Sequence, residues 1–170
     1  MSGPRSDDVQ GLSLEQRITR IEDVRAIEQV KMLYTEGTDF GYDLDGIASC
    51  FTEDGRWVAE GFADCHGREA IKEFFAGLKQ VVTMALHYTT NPRIDLDPGG
   101  ETAAARFHLW CACTMLRPDG SGEKDAVTMI GTYSDRFAKV DGTWLISELN
   151  ADVRHVSEWT QGWALDPWRI

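Results

Sequence analysis

No run of about 18 apolar residues occurs anywhere in the chain, so no transmembrane helix is expected. The segment from Met1 to Asp8 lacks the apolar stretch of a signal peptide and reads as the start of a disordered lead-in over residues 1–12. There is no G-x-G-x-x-G and no Walker A pattern, so neither a nucleotide nor a flavin site is indicated, and no cofactor is expected. Four cysteines (Cys50, Cys65, Cys111 and Cys113) form no C-x-x-C pair and show no structural-zinc spacing. Free thiols in a reducing cytoplasm are the simplest account, and no metal is expected. Cationic residues are scarce: 17 Lys+Arg stand against 28 Asp+Glu, a net charge of −11. Phosphate backbones and anionic membranes both need neutralising cations, so neither nucleic acid nor a membrane is an expected partner.

What is present describes one compact domain. The chain has 170 residues, 42% of them hydrophobic and 26% charged, which suits a soluble globular protein and is too apolar for a disordered one. At this length roughly 70% of the unfolded surface is buried on folding, so the core needs no disulfide or metal to hold it. Aromatic residues are in surplus. There are six tryptophans, with Trp159, Trp163 and Trp168 close to the C-terminus. Either the core is built from large rings or a cavity is lined with them.

Ser13 with Gln16 three residues on has the form of a capping box, and predicts a helix from Ser13 to about Thr38. Within it Leu14, Ile18, Ile21, Val24, Ile27, Val30, Leu33 and Tyr34 recur mostly at three- or four-residue spacing. A short helix is expected from Leu44 to Phe51, closed by a turn over Thr52–Gly55. A strand follows from Arg56 to Glu60, then a helix from Gly67 to Val82 with Ala70, Ile71, Phe74, Phe75 and Leu78 on one side. Beyond Val82 four strands are predicted: Met84–Asp97, Thr102–Leu116, Ala126–Val140 and Thr143–Val156. Asp141-Gly142 between the last two is a hairpin signal. Helices first and antiparallel strands afterwards define an α+β domain over residues 13–156, followed by an aromatic tail, 157–170, that serves as a lid or a subunit contact.

Three places carry candidate chemistry. Asp39 lies where the long helix ends, positioned either to hold a catalytic partner or to bond a loop N–H. His87 lies on the first long strand and by alternation shares a face with Ala85 and Thr89. It is a candidate base, with a structural histidine as the alternative. On the next strand Phe107, Leu109, Cys111 and Cys113 share one face, and His108 and Trp110 the other. The first face is soft and apolar, suited to a wall against a flat ligand or to ordinary core.

The segments from Ile27 to Asp39, from Leu86 to Ile94 and from Gly142 to Asn150 together resemble the SnoaL-like group of the nuclear-transport-factor-2-like superfamily. The likeness spans roughly Leu14 to Val156. It is strongest toward the cofactor-free lyases: bile acid 7α-dehydratase, hexachlorocyclohexane dehydrochlorinase and scytalone dehydratase. The resemblance implies a cone-shaped α+β barrel, its N-terminal helices packed on a strongly curved, mostly antiparallel sheet. It places Asp39 and His87 on a His-Asp dyad and Tyr34 on the helix tyrosine of the bile acid dehydratase. That enzyme's strand aspartate falls on Cys111, so bile acid specificity is not implied. Asn150 lies near a scytalone dehydratase asparagine, and Arg154 sits in a Val-Arg context like that of the bile acid enzyme, with a surface arginine as the alternative.

These residues lead to an expected lyase acting on a hydrophobic cyclic or aromatic molecule. His87 is the base, Asp39 its orienter and Tyr34 the acid or an oxyanion donor. Trp57, Phe107, Leu109, Cys111, Asn150 and Arg154 are expected on the substrate side. A steroid or polyketide isomerase or cyclase using the same dyad, and a non-catalytic binder, remain as alternatives. The resemblance also implies a homo-oligomer, a trimer before a dimer.

Overall fold

The structure is a computed structural model describing residues 11–39, 41–160 and 162. Helix α1 (Leu14–Thr38) opens on the expected capping box: Gln16 N donates to Ser13 Oγ (3.2 Å), and Ser13 N donates to Gln16 Oε1 (2.8 Å). Its inner stripe is not the apolar one that the spacing suggests. Asp23, Ile27, Lys31, Tyr34, Thr35 and Thr38 are buried, while Leu14 and Ile21 are 72% and 69% exposed. Thr35 and Thr38 bond carbonyls of α1 itself, and the two charged residues of the stripe are satisfied from the sheet. Asp23 accepts from Trp144 Nε1 at 2.8 Å and pairs with Lys139 at 2.7 Å, and Lys31 pairs with Asp135.

Helix α2 (Leu44–Ser49) is capped by Asp43 and ends before Phe51, where strand β1 (Phe51–Ala59) begins. The expected turn at Thr52–Gly55 is instead part of β1, at a shift in its pairing with the last strand. Strand β2 (Ala63–His66) was not expected; it is four residues long and exists through its pairing with β1. Helix α3 (Arg68–Leu78) stops four residues earlier than the apolar pattern suggests, and buries Ile71 and Phe75. Strands β3 (Val82–Leu96), β4 (Thr102–Leu116), β5 (Lys124–Val140) and β6 (Thr143–Glu158) follow the four predicted segments closely. Asp141 and Gly142 both take positive φ (48° and 78°), as a two-residue hairpin turn requires. Strand β6 takes the first two residues of the expected tail. Trp159 follows it and is exposed, whereas Trp163 and Trp168 lie outside the described residues.

The six strands form one mixed sheet in the order β2-β1-β6-β5-β4-β3, with β1 parallel to β6 and every other pair antiparallel. It is open, with β2 and β3 at its edges. The inner face packs against the helices. Across it, His87, Cys111, Met129 and Val156 stand in one row, and Phe107, Tyr133 and Ala151 in another. The outer face carries the row Tyr88, Trp110, Ile130 and His155. Gly131 is required where β6 bulges, because a Cβ there would overlap the Asp152 carbonyl.

Candidate active site

Asp39 is the C-cap of α1. Its N–H closes the helix on Thr35 O and Glu36 O, and its extended backbone turns the carboxylate toward β3. There, Asp39 Oδ1 lies 2.7 Å from His87 Nδ1 and accepts the His87 backbone N–H at 2.9 Å. Because that amide is directed to Asp39, His87 and Cys111 form a pair without backbone hydrogen bonds, the kind that brings side chains closest. Thr38 Oγ1 donates to Thr35 O (2.8 Å), so toward His87 Nδ1, 3.2 Å away, it can only accept. Two acceptors around Nδ1 place a proton there, which leaves Nε2 as the nitrogen free to act. Burial disfavours the imidazolium, but the bond to Asp39 and the neighbouring Cys111 outweigh it, and the His87 pKa is raised to about 9. Hydrogen bonding to Cys113 and burial push the Cys111 thiol up, so it stays a neutral group beside the imidazole.

Tyr34 lies deeper. Its hydroxyl accepts from Trp57 Nε1 at 2.8 Å, so its own proton is not committed to that bond. Burial pushes the phenol above its ordinary range, with the Trp57 hydrogen bond acting in the opposite sense. Trp57 stacks on Phe74 with centroids 4.5 Å apart, and Tyr34 meets the edges of Phe51 and Phe75. Phe107, Leu109 and Cys111 are all buried on the inner face of β4, as the alternation suggested.

Five contributors escape sequence reasoning: Thr38, Lys31, Asp135, Tyr133 and Tyr42. Lys31 Nζ meets Asp135 Oδ2 at 2.8 Å in full burial, and sits 3.3 Å from the Tyr133 ring centroid, 5.1 Å from that of Tyr34 and 5.3 Å from that of Phe107. Burial lowers the Lys31 pKa and raises that of Asp135, with each partner opposing the shift of the other. The only sequence signal was positional. Lys31 falls between Ile27 and Tyr34 on one helix face, and Asp135 shares the strand alternation of Tyr133.

A cavity of about 1290 Å³ is lined among others by Phe62, Val81, Met115, Val153, Arg154 and Val156. Its lining includes neither His87 nor Asp39. Val156 joins it to their row across the sheet. Arg154 stands at the rim, bound to Asp152, in keeping with the surface alternative. Asn150 is exposed on β6 and is not brought to the dyad, which corrects the expectation that it faces a substrate; in the local alternation Leu149 takes the buried position. Among the described residues no three His, Cys, Asp or Glu side chains are grouped to hold a metal ion, and no helix is long and apolar enough to cross a membrane.

Helices over an open, mostly antiparallel sheet, with a histidine and a carboxylate joined at one edge, define a class of small α+β cone. Residues 19–150 match the SnoaL-like domain, and the chain belongs to that family. Its fold is similar to that of the hexachlorocyclohexane dehydrochlorinase LinA-type3 of Novosphingobium barchaimii LL02 (TM-score 0.73, 19% identity, 84% of this chain and 93% of that one). It is also similar to a scytalone dehydratase-like protein of Novosphingobium aromaticivorans (TM-score 0.73, 22% identity, 84% and 91%). A third likeness is to a protein of the same organism assigned as an aromatic ring hydroxylase (TM-score 0.71, 26% identity, 83% and 96%). No curated protein matches the chain by sequence.

Proposed function

We propose that this protein is a cofactor-independent lyase that removes water or another small leaving group from a hydrophobic cyclic or aromatic molecule. The observation that carries the reading is the 2.7 Å contact between His87 Nδ1 and Asp39 Oδ1. Asp39 fixes the tautomer and stabilises the imidazolium that forms when Nε2 takes a proton from carbon. The electron pair released forms the new C=C bond, and the leaving group departs with the Tyr34 proton; exchange with solvent then resets both groups. Trp57, Phe107, Leu109 and Cys111 supply apolar walls that exclude water. The dehydrochlorinase and dehydratase likenesses, with the family's small-molecule chemistry, support elimination in general.

A mass-spectrometric screen of hydroxylated steroids, diaryl compounds and polyketides tests the reading. Loss of water or hydrogen halide supports it. Unchanged mass on turnover indicates an isomerase, gain of oxygen a hydroxylase, and saturable binding without product a carrier.

The raised pKa of His87 fixes the sign of the pH dependence. Below about 9 the neutral base is the minority form, so kcat/KM should climb about tenfold per pH unit between about pH 6 and 8 and level off above about 9. A flat profile across that range removes His87 as the base.

The assembly we propose is a homotrimer in the cytoplasm, joined through the outer face where Tyr88 (45% exposed) and Trp110 (37%) stack with centroids 5.1 Å apart. Multi-angle light scattering should give three times the 19.1 kDa chain mass. A monomer at micromolar concentration contradicts it.

A further inference from the structure

Helix α1 carries a second apolar stripe, which the fold leaves in solvent. Leu14 and Ile21 are largely exposed, and Ile18 and Met32 are 47% and 48% exposed. At about 100° per residue, Leu14, Ile18 and Ile21 project about half a turn round the helix from the buried Asp23 and Ile27. Apolar residues scattered singly over a surface need no explanation, but these are aligned.

Their spacing is that of a coiled-coil seam. Leu14, Ile18, Ile21, Arg25, Glu28 and Met32 follow one another at alternating intervals of four and three residues, the a and d repeat of a heptad. The two polar members, Arg25 and Glu28, bond each other at 3.3 Å, so the seam carries no net charge there. A second helix can reach this seam without meeting the domain, because the sheet lies on the opposite side of α1.

The flanking charges favour one partner. Arg17 precedes Ile18 and Glu22 follows Ile21, and both are exposed. In a parallel, in-register pair of α1 helices, Arg17 of one chain faces Glu22 of the other, and the twofold axis repeats the contact. Leu14, Ile18 and Ile21 then meet their own counterparts. An antiparallel pair about the middle of the seam would instead set Arg25 against Ile21 and Glu28 against Ile18, which buries charge on apolar surface. The complement to this helix is therefore a second copy of itself.

We propose that the outer stripe of α1, from Leu14 to Glu28, is a self-recognition surface on which two copies of this chain pair their α1 helices in parallel. The contact is separate from the outer face of the sheet and from the dyad, so it joins particles already assembled through other faces and is independent of the lyase reading. Helices that touch over about four turns bury less than the ~1,600 Å² of a standard interface. The dissociation constant is accordingly on the order of 0.1 mM, and pairing builds up as concentration rises above the micromolar range.

The test uses the full chain with one added thiol. The native cysteines are all buried, so a surface thiol is the reactive one. At about 0.1 mM under a mild oxidant, Ile21→Cys should form a disulfide-linked dimer at least about tenfold faster than Glu69→Cys, an exposed position on α3 that reports random collision. Arg17→Glu or Glu22→Arg, each added to Ile21→Cys, should slow the linking about fivefold, and the charge-swapped pair together should recover it. Sedimentation velocity of the wild type should show particle mass rising between about 1 µM and 0.1 mM. Linking of Ile21→Cys no faster than that of Glu69→Cys, indifference to the charge reversals, or a particle mass that stays constant overturns the proposal.

Discussion

Asp39→Asn should lower turnover of the identified substrate by about 10²–10⁴-fold, and His87→Ala by at least as much. The asparagine oxygen can still accept from Nδ1 and from the His87 amide, so the fold should survive. The carboxylate charge is lost, and the hydrogen bond that does most to hold the His87 pKa above its ordinary 6.5 is weakened to a neutral one. The pH–rate profile should therefore move to lower pH while its plateau falls. A purely structural aspartate would not produce that pair of changes. Turnover within about threefold of wild type in both variants would sink the assignment.

The same carboxylate sets a linked stability effect. A histidine whose folded pKa is raised stabilises the fold below its unfolded value of 6.5, and that contribution fades as pH rises through about 9. The lift corresponds to roughly 3 kcal/mol, an order-of-magnitude figure. Asp39→Asn should thus be clearly destabilised at acidic to neutral pH and nearly neutral at alkaline pH. The pH at which His87 becomes neutral is also the pH at which its pairing with Asp39 stops supporting the fold.

Asp135→Ala is the second large effect, and it falls on stability. It leaves Lys31 buried with its ammonium unpaired except for the rings around it, at a cost of about 3–5 kcal/mol in urea unfolding. The double variant Lys31→Met with Asp135→Leu removes both charges and should recover most of that loss, since well-packed apolar groups replace buried ion pairs at little cost. Less than about 1 kcal/mol lost in Asp135→Ala would mean that the pair contributes no more than an exposed one.

Much of the fold was legible because its strands are long and bounded by strong turns. Thr102–Leu116 alternates along almost its whole length and ends in Arg117-Pro118, so its limits could be read directly. Asp39 and His87, which the structure brings into contact, were picked out through position, one at a helix end and one inside a strand, aided by resemblance. The buried face of α1 was not. A helix stripe that carries Asp23 and Lys31 looks solvent-facing until Trp144, Lys139 and Asp135 are brought to it from more than a hundred residues away. Strand β2 was missed for a related reason: four residues are too few for a period, and only pairing with β1 makes them a strand. Trp57 and Tyr34 were each read as site residues, but the hydrogen bond joining them is tertiary and left no local mark.

His87 stands on β3, an outermost strand of an open sheet, and such edges invite another chain to add on. At this position the outward N–H is not on offer, because Asp39 already holds it. Further along the strand, Asn91 with positive φ and Pro92 break the edge again. The carboxylate that bonds the imidazole thus also closes this position of the edge to an added strand. Losing the Asp39 carboxylate would therefore also leave an edge N–H of β3 without its partner.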